Sequence, residues 1–246
     1  MTIELHQSNS VWRVRLARPD NGNALDAAMV TAMQDAARRC EAAGGTVLVI
    51  EGGTEAFCSG GDLRATADAT EPYDPEPLYG VWQTLSDGPF VSVAVVRGRV
   101  TAGGVGLAAA CDIVLCDRTA SFSLSEMLFG LHPALVLPFL ARRVGAQKAH
   151  YLTLTTTPIS AADAVSCDLA DAVDDDVDAL LRAHLMRLRR LTRPAIVRYK
   201  SYRAGLDDGI ARNRAAAIAA NREIFADAVV RENIRRYVTE MKFPWE

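Results

Sequence analysis

Apolar and polar residues alternate in Val11-Trp12-Arg13-Val14-Arg15-Leu16, the two-residue period of a strand with one solvated face. The period becomes helical over residues 26–43. There Met29, Met33, Ala36 and Ala37 recur three to four positions apart behind a capping aspartate, Asp26, and Gly44-Gly45 end the run. Thr46-Val47-Leu48-Val49-Ile50-Glu51 is instead an almost unbroken β-branched and aliphatic run, the mark of a strand buried on both faces. The same reading predicts a helix at about 78–86, a second buried strand at 90–96, a helix at about 103–110 and a strand at 113–116. Residues 66–77 are acidic and carry Pro72, Pro75 and Pro77, so they read as a loop or lid.

Strands and helices that alternate in this way to about residue 125 predict a parallel sheet covered by helices, an α/β fold. Beyond residue 130 the pattern is helical. Short amphipathic segments fall at 137–144, 146–154 and 161–169, and a longer, basic-faced one at 177–191. A helix at 194–205 and the helical, Ala-rich stretch 208–227 follow, and the chain ends in residues 232–240 and Phe243-Pro244-Trp245-Glu246. No long linker and no internal repeat interrupts the chain. The expected organisation is a core over 1–190 and a helical C-terminal region over 191–246 that packs between subunits.

Composition narrows the function. The chain has 246 residues, half of them apolar and 23% charged, which suits one large soluble domain. A net charge of −3 gives no electrostatic signature for nucleic acid or an anionic membrane. No apolar run reaches the ~20 residues of a membrane span. The first residues carry no basic segment followed by an apolar run, so a cytoplasmic protein is expected. The five cysteines are scattered, without a CxxC pair, and read as reduced thiols. The four histidines lack metal-ligand spacing, so no metal site is expected.

Candidate chemistry lies in two glycine motifs, Phe57-Cys58-Ser59-Gly60-Gly61-Asp62-Leu63 and Ala102-Gly103-Gly104-Val105-Gly106. Each reads as an apolar strand, a tight turn and a helix start. Such turns leave backbone N–H groups unpaired and pointing outward at a helix N-terminus. One motif alone says little, because glycine also serves where the backbone merely turns tightly. Two such turns facing each other can hold one developing oxyanion, a large term in thioester chemistry.

Together these segments resemble the crotonase (enoyl-CoA hydratase/isomerase) superfamily. The resemblance is carried by Leu16-Ala17-Arg18-Pro19 with Asn23-Ala24-Leu25, by the two glycine motifs, by Val96-Arg97-Gly98, by Cys111-Asp112-Ile113, and by Ser125-Glu126 with Gly130. Within the superfamily the chain is most similar, end to end, to the dehydratases of polyketide β-branching cassettes. Residues 122–134, 147–154, 234–238 and 243–246 carry that closer likeness. The resemblance implies a ββα spiral core with a helical C-terminal trimerisation region, and a trimer or hexamer. It implies dehydration of a 3-hydroxy-3-methylglutaryl group on an acyl carrier protein to the 3-methylglutaconyl thioester. The acyl group rides on phosphopantetheine, no other cofactor is needed, and a partner decarboxylase acts on the product.

Residue by residue, the resemblance puts the oxyanion donors at the N–H groups of Gly61 and Gly103. Glu126 becomes the acid/base. Desolvation there would raise its pKa toward neutrality, which suits proton transfer beside a thioester. Cys58, Ser59, Gly60, Asp62, Leu63 and Gly104 flank the donors as substrate-binding residues, with Asp62 read as a helix cap. Tyr79 and Trp82 are expected to line the acyl pocket. Arg64 and Arg99 are the candidate partners for a free substrate carboxylate, and Arg18 and 187–190 for the carrier. Tyr73, Tyr79 and His132 are the candidates to assist departure of the hydroxyl.

The chain departs from the hydratase pattern at Gly106, where those enzymes carry a second glutamate. Gly106 is expected to leave room for a 3-methyl branch. A single glutamate fits a dehydratase with a tertiary leaving hydroxyl, which departs more readily than a secondary one. It also fits an enoyl-CoA isomerase. An enoyl-CoA hydratase with altered groups, or a non-catalytic protein that binds acyl carriers, remains as a further alternative.

Overall fold

The computed structural model describes residues 2–68 and 74–246. Its strands are β1 (Ile3–Ser8), β2 (Val11–Leu16), β3 (Val47–Glu51), β4 (Ala56–Cys58), β5 (Val91–Val96), β6 (Arg99–Thr101), β7 (Ile113–Cys116), β8 (Ser121–Ser123), β9 (Ile159–Ser160) and β10 (Ala172–Val173). The helices of the first half are α1 (Ala27–Ala42), α2 (Leu63–Asp68), α3 (Glu76–Asp87) and α4 (Gly103–Ala110). Those of the second half are α5 (Leu137–Val144), α6 (Ala146–Thr155), α7 (Ala161–Ser166), α8 (Val177–Leu188), α9 (Arg193–Leu206), α10 (Gly209–Ala226) and α11 (Ala228–Glu240).

Two sheets run through the core, in the orders β1-β2-β3-β5-β7-β10 and β4-β6-β8-β9. The pairs β3–β4, β5–β6 and β7–β8 each place one strand in each sheet, so the chain climbs as a spiral of ββα turns. Parallel pairing of β3 with β5 and β5 with β7, and of β4 with β6 and β6 with β8, brings the three turns into register. The loops after β4, β6 and β8 therefore emerge side by side.

The unbroken apolar runs of β3 and β5 are explained by burial on both faces. Leu48, Ile50, Ala94 and Val96 join the main core, while Val47, Val49, Val91, Val93 and Val95 face Val177, Leu181 and Leu185 of α8 and Ile196 of α9. Local signals start several helices. Asp26 accepts the Met29 N–H at the start of α1, and Ser160 and Asp163 form a reciprocal capping box on α7. The expected loop at 66–77 differs in the structure. Its first residues complete α2, because Asp62 accepts the Ala65 N–H (3.0 Å), and its last ones open α3. Residues 69–73, Tyr73 among them, lie outside the described residues.

The C-terminal helices fold back over the core of their own chain. Lys200 of α9, 4% exposed, reaches Asp112 (2.6 Å), whose Oδ2 also accepts the Ser92 N–H and hydroxyl at 2.8 and 3.0 Å. Asp112 thus ties β5 and α9 together. Ile210, Ala217 and Ile218 of α10 enter the main core. Tyr237 of α11 and Phe243 pack on Phe129, with ring centroids 4.9 and 5.7 Å away.

Candidate active site

The turns after β4 and β6 touch. Gly60 has φ +90°, and a Cβ there would stand 2.9 Å from the Ala102 Cβ and 3.0 Å from the Gly103 nitrogen, so only glycine fits. Ala102 carries φ 51° and ψ −120°, a sparsely populated conformation that costs a non-glycine residue about 1–3 kcal/mol. It is fixed from both sides: its N–H donates to Ser123 O (2.9 Å) and its carbonyl accepts from Val105 N–H (2.9 Å). Leu25 pins the other turn by donating to Gly60 O (2.7 Å) and accepting from Asp62 N–H (3.3 Å). Among the described residues the N–H groups of Gly61 and Gly103 donate to no acceptor. The two amides are neighbours, since an ideal Cβ on Gly103 would lie 3.6 Å from the Gly61 nitrogen.

Glu126 follows β8 and opens a 3-10 turn, Glu126–Phe129, that closes on Gly130 at φ +79°. Its carbonyl accepts the Leu131 N–H (3.1 Å), which fixes the backbone. The residue is half-buried as a whole, but its carboxylate Oε2 is buried and has no hydrogen-bond partner. Burial pushes its pKa from 4.5 up to about 7, against a small opposing effect of its own backbone N–H. Near neutral pH both protonation states are populated, as a group that must accept and return a proton requires.

Gly61, Gly103 and Glu126 line one cavity of about 130 Å³, together with Ser59, Leu63 and His132. Leu78 and Trp82 of α3 and Asn221 of α10 close it. No lysine or arginine lines it among the described residues. A groove of about 330 Å³ between α2 and α11 is larger, but the charged Glu232 and Arg235 on its wall already pair with each other at 2.6 Å. Among the described residues no cluster of three histidine, cysteine or acidic side chains is arranged to hold a metal ion, and no helix is long and apolar enough to cross a membrane.

Several expected site residues stand elsewhere. Tyr79 is fully buried and donates its hydroxyl to Ile210 O (2.6 Å), so it holds α10 in place and does not face the cavity. Leu78, one residue earlier and on the helix face of Trp82, lines it instead. Arg64 and Arg99 are exposed and off the cavity wall, because α2 and β6 turn them to solvent. Cys58 is buried in the core, and burial raises its thiol pKa to about 12. Gly60 shapes the turn, Gly104 packs against the Cys58 carbonyl, and Asp62 caps α2. Arg18 is held by Asp26 and by Asp62 (3.7 Å), which removes it as a free phosphate ligand. Gly106 leaves no room for a methyl branch. A Cβ there would stand 2.5 Å from the Trp82 ring, so the indole occupies that space.

Asn221 and the strained Ala102 are site features that the sequence reading missed. Asn221 gave no motif signal in an Ala-rich helix. Ala102 had one: a non-glycine residue between a strand and a glycine pair.

Two sheets joined by ββα turns, with the cavity at the turn ends, define the crotonase fold. The chain belongs to the enoyl-CoA hydratase/isomerase family, whose sequence profile matches residues 6–246. It is 44% identical to the bacillaene synthase dehydratase PksH of Bacillus subtilis (strain 168) over 250 aligned residues, covering 100% of this chain and 96% of that one. The crystal structure of the polyketide biosynthesis enoyl-CoA hydratase PksH from Bacillus subtilis superposes with a TM-score of 0.96 at 43% identity, covering 99% of each chain. An enoyl-CoA hydratase from Bacillus halodurans shares the fold at a TM-score of 0.86 and 18% identity, covering 95% of this chain and 99% of that one. Hydro-lyase is the enzyme class these relatives define for the chain.

Proposed function

We propose that this enzyme dehydrates a 3-hydroxy-3-methylglutaryl group, carried on the phosphopantetheine of an acyl carrier protein, to the 3-methylglutaconyl thioester in polyketide β-branching. The observation that carries the reading is a buried carboxylate on the same cavity as two unpaired, adjacent backbone amides. The 44% identity to a polyketide dehydratase supports the substrate class.

The thioester carbonyl oxygen accepts the N–H groups of Gly61 and Gly103. The Glu126 carboxylate takes the C2 proton, and the C–H electrons form the enolate. Negative charge then grows on the thioester oxygen, so both amides bind it more tightly in the transition state than in the ground state. Collapse of the enolate forms the C2–C3 double bond and breaks the C3–O bond. The departing hydroxyl takes the proton held by Glu126 and leaves as water, which restores the carboxylate. His132, the one of the three candidate helpers seen on the cavity wall, stands within the same site. With no second carboxylate on the cavity wall among the described residues, proton removal and return both fall to Glu126, and a tertiary hydroxyl makes that feasible.

The reading carries an acyl carrier protein as partner, a decarboxylase that consumes the product, and no cofactor beyond the pantetheine arm. It also carries a cytoplasmic trimer or hexamer. Tyr199, Tyr202 and Leu206, all at least 65% exposed on α9, support such a subunit contact. The lone glutamate also fits an enoyl-CoA isomerase, which would move a double bond without losing water. Intact mass of the loaded carrier separates the two. Loss of one water with the wild type supports dehydration. An unchanged hydroxylated carrier, with 3-enoyl thioesters converted to 2-enoyl ones, would replace it with isomerisation.

A further inference from the structure

Five buried side-chain polar atoms in the described residues lack any hydrogen-bond partner: Trp12 Nε1, Thr46 Oγ1, Trp82 Nε1, Glu126 Oε2 and Asn221 Oδ1. Three of these residues, Trp82, Glu126 and Asn221, line the one cavity. Unpaired buried polar groups are rare because each loses its water without compensation. Glu126 has a chemical task that explains its state. Trp82 and Asn221 have none, and both are well buried, at 1% and 8% exposure. They come from helices far apart in sequence, α3 and α10, which pack together with Tyr79 donating to Ile210 O, and both line the cavity.

We propose that Trp82 and Asn221 form a polar subsite for a hydroxyl on the β-carbon of the bound acyl chain. This rests on the reading that an acyl thioester fills the cavity between Gly61, Gly103 and Glu126. The chemistry of the pair selects the group. An indole N–H only donates, so the ligand atom beside Trp82 must be an acceptor. The carboxamide Oδ1 only accepts, so the ligand atom beside Asn221 must carry a hydrogen. A hydroxyl meets both needs: its oxygen accepts from Trp82 Nε1 and its hydrogen goes to Asn221 Oδ1. A methyl or a hydrogen on C3 leaves both groups unpaired, and a site built to pair a hydroxyl rejects such an analogue strongly. The cavity is only about 130 Å³, which holds a branched C3 centre close to its walls. Trp82 serves two ends at once, since its ring also fills the space above Gly106.

The test measures binding in the Glu126→Gln background, where turnover does not intervene. Calorimetry gives the affinity of two pantetheine thioesters, 3-hydroxy-3-methylglutaryl and its deoxy analogue 3-methylglutaryl. The expected result is a preference for the hydroxylated ligand of roughly 10-fold or more. Adding Asn221→Leu or Trp82→Phe should erase that preference while the affinity for the deoxy ligand stays within about 3-fold, because a neutral hydrogen bond is lost and packing is kept. A purely structural role would weaken both ligands alike. Trp82→Phe keeps an aromatic side chain at this position of α3, so the test stands if Asn221→Leu fails to fold. No preference in the Glu126→Gln protein, or a preference that survives both added substitutions, overturns the subsite. The proposed reaction fails separately: binding preference without any water loss from the loaded carrier would refute the reaction and keep the subsite. Water loss without preference would do the reverse.

Discussion

Replacing Glu126 by Gln should stabilise the folded protein, and the gain should depend on pH. Burial raises the Glu126 pKa from 4.5 to about 7, because the ionised carboxylate loses water, its Oε2 gains no partner, and its own backbone N–H offsets only part of that cost. Below pH 4.5 the carboxyl is neutral in both the folded and unfolded chains and carries no pH-dependent penalty. Between pH 4.5 and 7 the folded state keeps a proton that the unfolded state releases, so stability falls as pH rises. Above pH 7 the full penalty is present. At about 1.4 kcal/mol per pKa unit, the shift amounts to about 3 kcal/mol. Glutamine keeps the shape and never ionises. The stability difference between variant and wild type should therefore grow by about 3 kcal/mol from pH 4.5 to pH 8. For a chain of this size that is a gap in Tm of roughly 6–12 °C. Urea unfolding of both proteins at matched concentration and at several pH values measures it, and the other titrating groups cancel in the difference. A difference that is flat with pH, or that shrinks toward pH 8, would refute a desolvated carboxylate.

Three further outcomes follow from the packing. Gly106→Glu should destabilise by about 1–3 kcal/mol, because its Cβ would meet the Trp82 ring at 2.5 Å, and it should not raise hydration of a simple enoyl thioester. Thermal melts and a hydration assay check both parts, and a stable, faster variant would contradict the packing. Lys200→Met should cost about 3 kcal/mol by leaving the Asp112 carboxylate without its counter-ion against α9, read from urea midpoints, with a near-neutral effect as the contrary result. A maleimide should label Cys167 first in the native protein. Cys40, Cys58, Cys111 and Cys116 are buried, with thiol pKa values raised by desolvation to about 12, and should react only on unfolding. Peptide mass mapping after a short pulse decides this.

Much of the fold was legible because single segments carried their own instructions. The β3 and β5 runs are apolar on both faces, and the helix at 137–144 has the boundaries its period suggested. Strand β1 was not legible. Ile3-Glu4-Leu5-His6-Gln7-Ser8 mixes polar and apolar residues and becomes a strand only by pairing antiparallel with β2 at the sheet edge. Strands β9 and β10 are two residues long and owe their state to partners in β8 and β7. The start of α2 was in view, with Asp62 as its cap, but its extent past residue 66 was hidden by the prolines downstream.

The site divides in the same way. The glycine turns and Glu126 are local motifs and could be read from sequence. On α3 the error was one residue, about 100° of helix rotation: the face holding Trp82 carries Leu78, and Tyr79 turns to α10. Asn221 depends on the return of α10 across α3 and α5, a long-range contact with no local trace. The room attributed to Gly106 is a third case, because a missing Cβ says nothing about which neighbour fills the space.

The central claim is that Glu126 removes the proton next to the thioester. The direct measurement is deuterium wash-in at C2 of a carrier-bound 3-methylglutaryl group, which cannot lose water, followed by intact mass in heavy water. The wild type should exchange at a rate that rises with pH and levels off above about pH 7, where the carboxylate is ionised. Glu126→Gln should slow exchange by roughly 100-fold or more. Exchange by the variant at the wild-type rate, or a wild-type rate indifferent to pH around 7, would contradict it.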